Sequence, residues 1–128
     1  MSKPNVATVL IVDDDFDLVS ALRSTLEAMN CAVKTAGNGE EALALLAREK
    51  FTVVISDIRM PKMDGIALLT AIDEAGGGTP VIMMTGYSDY TDQEIDDHNG
   101  VVLLEKPFSA DKIRELVGQF IYLCVEAA

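Results

Sequence analysis

Val53-Val54-Ile55-Ser56-Asp57-Ile58-Arg59-Met60-Pro61, followed by Lys62-Met63-Asp64-Gly65, is the stretch from which the fold of this chain can be read. A short, apolar, largely β-branched run ends abruptly in an aspartate. A proline then stops the strand, and an Asp-Gly pair opens the next element. Such a run fits a strand of a parallel sheet that is covered on both faces. In sheets of that kind, chemistry gathers just past the carboxyl ends of the strands. Asp57 is therefore the first candidate site residue.

On the N-terminal side, Thr8-Val9-Leu10-Ile11-Val12 is a second run of this type, and it too ends in acid, at Asp13-Asp14-Asp15 and Asp17. Leu18, Val19, Leu22, Leu26 and Met29 recur at helical spacing over residues 16–29. Ala32-Val33-Lys34-Thr35 is only half apolar, which predicts an edge strand. Asn38 followed by Glu41 has the form of a capping box. It opens a helix to about residue 50 with Ala42, Leu43, Leu45 and Leu46 inward. On the C-terminal side, Asp64 can cap a helix with Ile66, Leu69 and Ile72 inward, closed by Gly76-Gly77-Gly78-Thr79-Pro80. That glycine run lacks the Gly-Lys-Ser/Thr of a phosphate cradle. Val81-Ile82-Met83-Met84 ends at Thr85-Gly86, and Val101-Val102-Leu103-Leu104 ends at Glu105-Lys106-Pro107. Ser109 caps a last helix carrying Ile113, Leu116, Val117, Phe120 and Cys124 on one side. Apolar strands alternating with helices predict an α/β fold, a doubly wound parallel sheet of five strands. One segment fits poorly. Residues 89–99 should form the fourth helix, yet Ile95 is their only aliphatic residue, so a short, frayed or partly irregular helix is expected there.

The length of 128 residues predicts a single domain, 1–128, large enough to bury a core. With 21 acidic against 10 basic residues the net charge is −11, which argues against direct contact with nucleic acid or an anionic membrane. Cys31 and Cys124 lie far apart, outside any metal-ligand spacing, as expected of free thiols in a reducing compartment. The N-terminus has no signal-peptide core, and no apolar run approaches the ~18 residues of a membrane span. A cytoplasmic protein is expected.

The strand ends bring the chemistry together: Asp13 and Asp14 after the first strand, Asp57 at the third, Thr85 at the fourth, Lys106 after the fifth. In a parallel sheet these lie on one edge. Three carboxylates and a lysine leave an excess of negative charge that is costly in a partly desolvated cleft. A divalent cation relieves it, and an all-oxygen, carboxylate-rich site suits Mg²⁺. A phosphoryl group is the natural guest, because its transfer calls for positioning and charge neutralisation. Asp57 is then the nucleophile, giving an acyl phosphate.

With Val12-Asp13-Asp14-Asp15, Asp57-Ile58-Arg59-Met60-Pro61 plus Asp64-Gly65, Thr85-Gly86 and Lys106-Pro107-Phe108 in this order, the chain resembles the receiver domain of two-component response regulators over residues of about 7–125. The resemblance implies a flavodoxin-like (βα)5 fold with strand order 2-1-3-4-5. It implies that Asp57 is phosphorylated by a phosphohistidine donor, a sensor histidine kinase or a histidine phosphotransfer protein. Asp14, Asp57 and the backbone carbonyl of Arg59 would ligate Mg²⁺, with Asp13 acting mainly through water. Lys106 would pair with the phosphoryl group and Thr85 would bind and report it, while small Gly86 leaves it accessible. The Lys106-Pro107 bond would be cis. Such a domain is not a conventional enzyme, although phosphotransfer and hydrolysis both occur in its one site. The signal would leave through the face of the fourth helix, fifth strand and last helix, to a downstream protein or a detached output domain.

Leu103 departs from the pattern, since many receivers have Tyr or Phe three residues before the lysine, a ring that turns inward as the hydroxyl residue moves. Tyr87 is a candidate substitute, so the switch candidates are Thr85, Tyr87 and Leu103. Phosphorylation is expected to order residues 87–100. Ile121, Leu123 and Val125 flank the core stripe of the last helix, either as ordinary packing or as a homodimer or partner surface. His98 reads as a solvated surface residue. Asp13, Asp15 and Asp17 alternate as in a calcium loop, but Leu18 and Ser24 stand where that loop needs glycine and glutamate. The other readings are a haloacid-dehalogenase-like phosphatase with Asp13 as nucleophile, which leaves the Asp57 motif unexplained, and a phosphorylation-independent interaction module.

Overall fold

The computed structural model describes residues 7–59, 63–75, 78–86 and 101–127, with side chains as far as residue 121. The described residues hold five strands and four helices: β1 (Thr8–Val12), α1 (Phe16–Ala28), β2 (Ala32–Ala36), α2 (Gly39–Arg48), β3 (Val53–Asp57), α3 (Gly65–Ala75), β4 (Val81–Thr85), β5 (Val101–Glu105) and α4 (Ala110–Ala127). The five strands form one sheet of order β2-β1-β3-β4-β5, every neighbouring pair parallel. This is the flavodoxin-like arrangement that the resemblance implied. The order reverses between β1 and β3, the topological switch point beside which such folds bind their ligands.

Alternation along the strands divides the core into two layers. Val9 and Ile11 of β1, Val53 and Ile55 of β3, and Ile82 and Met84 of β4 point to one face, where Leu22 and Leu26 of α1 and Ile113, Leu116 and Val117 of α4 cover them. Leu10, Val12, Val54, Val81 and Met83 point to the other, under Ala42 of α2 and Leu68, Leu69 and Ile72 of α3. β1, β3 and β4 are buried on both faces, so they carry no alternating polar residues. β2 lies at one edge and is largely exposed, as its half-apolar composition predicted. β5 lies at the other edge and is mostly half-buried.

Helix starts follow the side chains available. Asp15 caps α1, accepting from the N–H groups of Asp17 and Leu18 at 3.1 and 3.2 Å. Asn38 caps α2, accepting from Glu41 N–H at 3.0 Å. Asp64 accepts from Ala67 N–H at 2.9 Å, and Ser109 Oγ from Lys112 N–H at 3.2 Å. Each cap satisfies a donor that the first turn leaves without an intrahelical partner. Asp15 thus has a local structural task in the acidic run.

Two details differ from the sequence reading. α2 ends at Arg48, short of residue 50. In α3 the buried positions are Gly65, Leu68, Leu69 and Ile72, and Ile66 is half-buried. The reason is that Gly65 itself faces the sheet, which rotates the i, i+3, i+4, i+7 stripe. Cys31 is buried and free, and burial pushes its thiol up. Ile121 packs against the α1–α4 layer, so at this position the core reading holds. Leu123, Cys124 and Val125 have side chains outside the described residues, as does the whole of the segment 87–100 with Tyr87, Ile95 and His98. No helix among the described residues is long and apolar enough to cross a membrane.

Candidate functional site

Asp13, Asp14, Asp57, Thr85 and Lys106 can each be followed to the carboxyl edge of the sheet. Asp57 is the last residue of β3 and only 7% exposed. It is buried because β3 is the central strand, flanked by β1 and β4. Its Oδ2 lies 3.2 Å from Lys106 Nζ. Its Oδ1 accepts from Arg59 N–H at 3.4 Å. The Asp57 backbone carbonyl accepts from Ser56 Oγ at 3.0 Å, holding the residue from behind.

Asp13 follows β1 and is 4% exposed. Its N–H donates to the Ala36 carbonyl at 3.0 Å, and its Oδ1 accepts from Asp15 N–H at 3.0 Å. Its Oδ2 is buried without a hydrogen-bond partner. A buried, unsatisfied carboxylate oxygen is expensive. Burial pushes the Asp13 carboxyl up to about 6, the negative charge of Asp57 and the adjacent Asp14 carboxyl adding to it and the Asp15 N–H and Lys106 opposing it. Exposed Asp14 completes the group: one carboxylate oxygen from each of Asp13, Asp14 and Asp57 lies within 4.8 Å of the others. Such a set of hard oxygen donors, one of them lacking any protein partner, fits a hydrated cation.

Lys106 follows β5, its N–H donating to the Thr85 carbonyl at 2.8 Å. The Lys106-Pro107 bond is cis. Thr85 ends β4 and is 2% exposed, and its hydroxyl donates to the Gly86 carbonyl at 2.8 Å. The structure therefore brings Asp13, Asp14, Asp57 and Lys106 into one cluster. It brings Thr85 to the same edge with its hydroxyl engaged on the backbone. Leu103, opposite Met83 in the sheet, packs half-buried against the α2–α3 layer.

Two features escaped the sequence reading. Gly65 presses on the acceptor: a Cβ there would stand 2.3 Å from the Asp57 carbonyl oxygen and 2.9 Å from Ile58 Cα. Its signal was the Gly of Asp64-Gly65 at a helix start, where glycine marks a close backbone approach. Phe16, one residue past the Asp15 cap and two past Asp14 in the chain, is 80% exposed, an aromatic side chain left in water. Its signal was that it falls off the inward stripe of α1.

Comparison with known proteins agrees with this geometry. The family described as the response regulator receiver domain matches residues 9–118. The C4-dicarboxylate transport transcriptional regulatory protein DctD of Rhizobium meliloti is 40% identical over 108 residues, covering 83% of this chain and 23% of that regulator. This chain thus spans about a quarter of that relative's length. The chemotaxis response regulator CheY4 of Vibrio cholerae superposes with a TM-score of 0.79 at 30% identity, over 91% of this chain and 99% of that one. A CheY-like receiver domain protein of Methanospirillum hungatei shares the fold, with a TM-score of 0.84 over 97% of this chain and 100% of its own, at 24% identity. By sequence, fold and the arrangement at the sheet edge, this chain belongs to the response regulator receiver domain family of two-component signalling.

Proposed function

We propose that the chain, as a single domain over residues 1–128, is a phosphoacceptor switch in which Asp57 takes a phosphoryl group from the phosphohistidine of a sensor histidine kinase or a histidine phosphotransfer protein. The observation that carries this reading is the 3.2 Å approach of Lys106 Nζ to Asp57 Oδ2 beside the oxygens of Asp13 and Asp14. In the transfer a carboxylate oxygen of Asp57 forms the new P–O bond. The P–N bond to the donor breaks, its electron pair leaving with the imidazole. Lys106, now against the carboxylate, offsets charge on a phosphoryl oxygen. Thr85 exchanges its Gly86 partner for a second phosphoryl oxygen, and that exchange reports phosphorylation to the fold. Hydrolysis of the acyl phosphate in the same site resets the switch.

Asp13, Asp14, Asp57 and the backbone carbonyl of Arg59 would hold Mg²⁺. The partnerless Asp13 Oδ2 and the all-oxygen donor set support that assignment. When bound, the ion supplies positive charge to the carboxylates and the incoming phosphoryl group. The exposed ring of Phe16, two residues from Asp14 in the chain, offers a donor protein an apolar contact. The net charge of −11 speaks against nucleic-acid contact by this domain itself. A gene-regulatory role, as in the name of the longer DctD relative, would therefore run through segments beyond the matched residues or through a separate protein. The donor chemistry is that of a cytoplasmic pathway.

The test is incubation with labelled acetyl phosphate, with and without Mg²⁺, followed by peptide mapping. Label is expected on Asp57, dependent on Mg²⁺, and absent from Asp57→Ala. Label on Asp13 would favour the phosphatase-like reading. Wild type that takes no label at all would favour an interaction module.

A further inference from the structure

The start of α2 touches the backbone that carries the acceptor, through a chain of close contacts. Gly39, the first residue of α2, is buried and donates its N–H to the Met63 carbonyl at 3.2 Å. A Cβ on Gly39 would stand 2.8 Å from that carbonyl oxygen, 2.9 Å from Met63 Cβ and 2.7 Å from Met63 Cγ. The Cγ could swing away, but the carbonyl and Cβ move only with the backbone. Two residues on, Gly65 donates its N–H to the Ile58 carbonyl at 2.8 Å, and its Cα faces the Asp57 carbonyl. A displacement of Met63 therefore has little room before it reaches Asp57 and Ile58. Asn38 holds α2 at this spot through its cap on Glu41 N–H and a 2.9 Å bond from Nδ2 to Glu41 Oε2.

We propose that Gly39 is a positioning residue for Asp57, acting through the backbone of Met63 and Gly65, so that the seating of α2 sets the competence of the acceptor. Gly39 touches neither the carboxylate cluster nor the reacting atoms. Its role is to leave room: with only hydrogen on Cα, α2 can close on the start of α3 and press it against the end of β3. The consequence is that a partner or substitution that shifts the N-terminus of α2 alters phosphorylation without contacting the site.

This inference rests on the phosphoacceptor reading, and Gly39→Ala tests it. Wild type that fails to take label from acetyl phosphate sinks the phosphoacceptor reading itself, whereas the inference is judged against a labelled wild type. With saturating Mg²⁺, Gly39→Ala is expected to lower the labelling rate by roughly 10- to 100-fold, the scale for ångström displacements of reacting groups. Without metal, the amide resonances of Ile58, Arg59 and Gly65 shift and the Gly65 amide exchanges faster, while those of Leu103 and Leu104 hold. Leu46→Ala, which truncates a half-buried side chain packed on the α2–α3 layer farther along α2, controls for lost stability and is expected to leave both readouts near wild type. Asn38→Ala loosens the first turn of α2 without adding an atom. It moves both readouts in the same direction by less, and it stands in should Gly39→Ala not fold. Wild-type rate and amide shifts in folded Gly39→Ala, or in Asn38→Ala if it does not fold, overturn the proposal. So does a Leu46→Ala loss as large as that of Gly39→Ala.

Discussion

Asp57 and Asp13 show how the same residue type acquires different properties at one sheet edge. Asp57 has a cation at 3.2 Å, and its other oxygen accepts a backbone N–H. Asp13 has one oxygen bonded to Asp15 N–H and the other buried without a partner. Burial therefore dominates Asp13 and raises its carboxyl from the ordinary 3.8 to about 6. The folded protein then holds a proton between those pH values that the unfolded chain releases, so this group's contribution to stability is complete below pH ~4 and lost as pH rises through ~6. In chelator, urea unfolding should show Asp13→Asn gaining stability relative to wild type between pH 4.5 and 7. Parallel pH profiles would show that Asp13 ionises freely. The acidic run thus divides its labour: Asp13 is a buried charge, Asp14 an exposed member of the cluster, and Asp15 a helix cap. The sequence placed all three at a strand end, but their order along the chain carries no sign of which is buried.

At the scale of elements, caps and stripes were largely legible before the fold was known. Asn38, Asp64 and Ser109 each stand immediately before a periodic apolar segment, and each accepts a first-turn N–H in the structure. Asp64→Ala leaves the Ala67 N–H to water and should cost about 1 kcal/mol, read as a lower urea midpoint with unchanged slope. The stripe of α3 was legible only in part, because its rotation is set by Gly65 lying against the Asp57 carbonyl. Such a contact joins two elements and leaves no mark in the periodicity of either. The same holds for Gly39 against Met63. Leu103 departs from the family pattern, and it packs half-buried on the α2–α3 side of the edge strand.

At the scale of the molecule, two core layers share one sheet, and each central strand serves both. Ile55 is fully buried on β3, facing the α1–α4 layer. Ile55→Ala should cost about 2–5 kcal/mol, a large part of the stability of a domain this size, by chemical unfolding. Leu103→Ala, at a half-buried edge position, should cost clearly less. Equal losses would mean that β5 is as central to the core as β3. The same layering explains the site: strands buried on both faces can expose functional groups only at their ends.

The amino-acid sequence by itself determined the order of the described elements, the parallel sheet and the five strand-end residues, Asp13, Asp14, Asp57, Thr85 and Lys106. Those follow from local signals: apolar runs of strand length, helical periodicity, capping residues and acids or bases at the ends of runs. Only the tertiary structure decided how the five differ. It brings Lys106 to Asp57, leaves an Asp13 oxygen partnerless, turns the Thr85 hydroxyl onto Gly86, and closes α2 and α3 on the acceptor through Gly39 and Gly65. Distances and burial arise between segments far apart in the chain, and no local pattern encodes them.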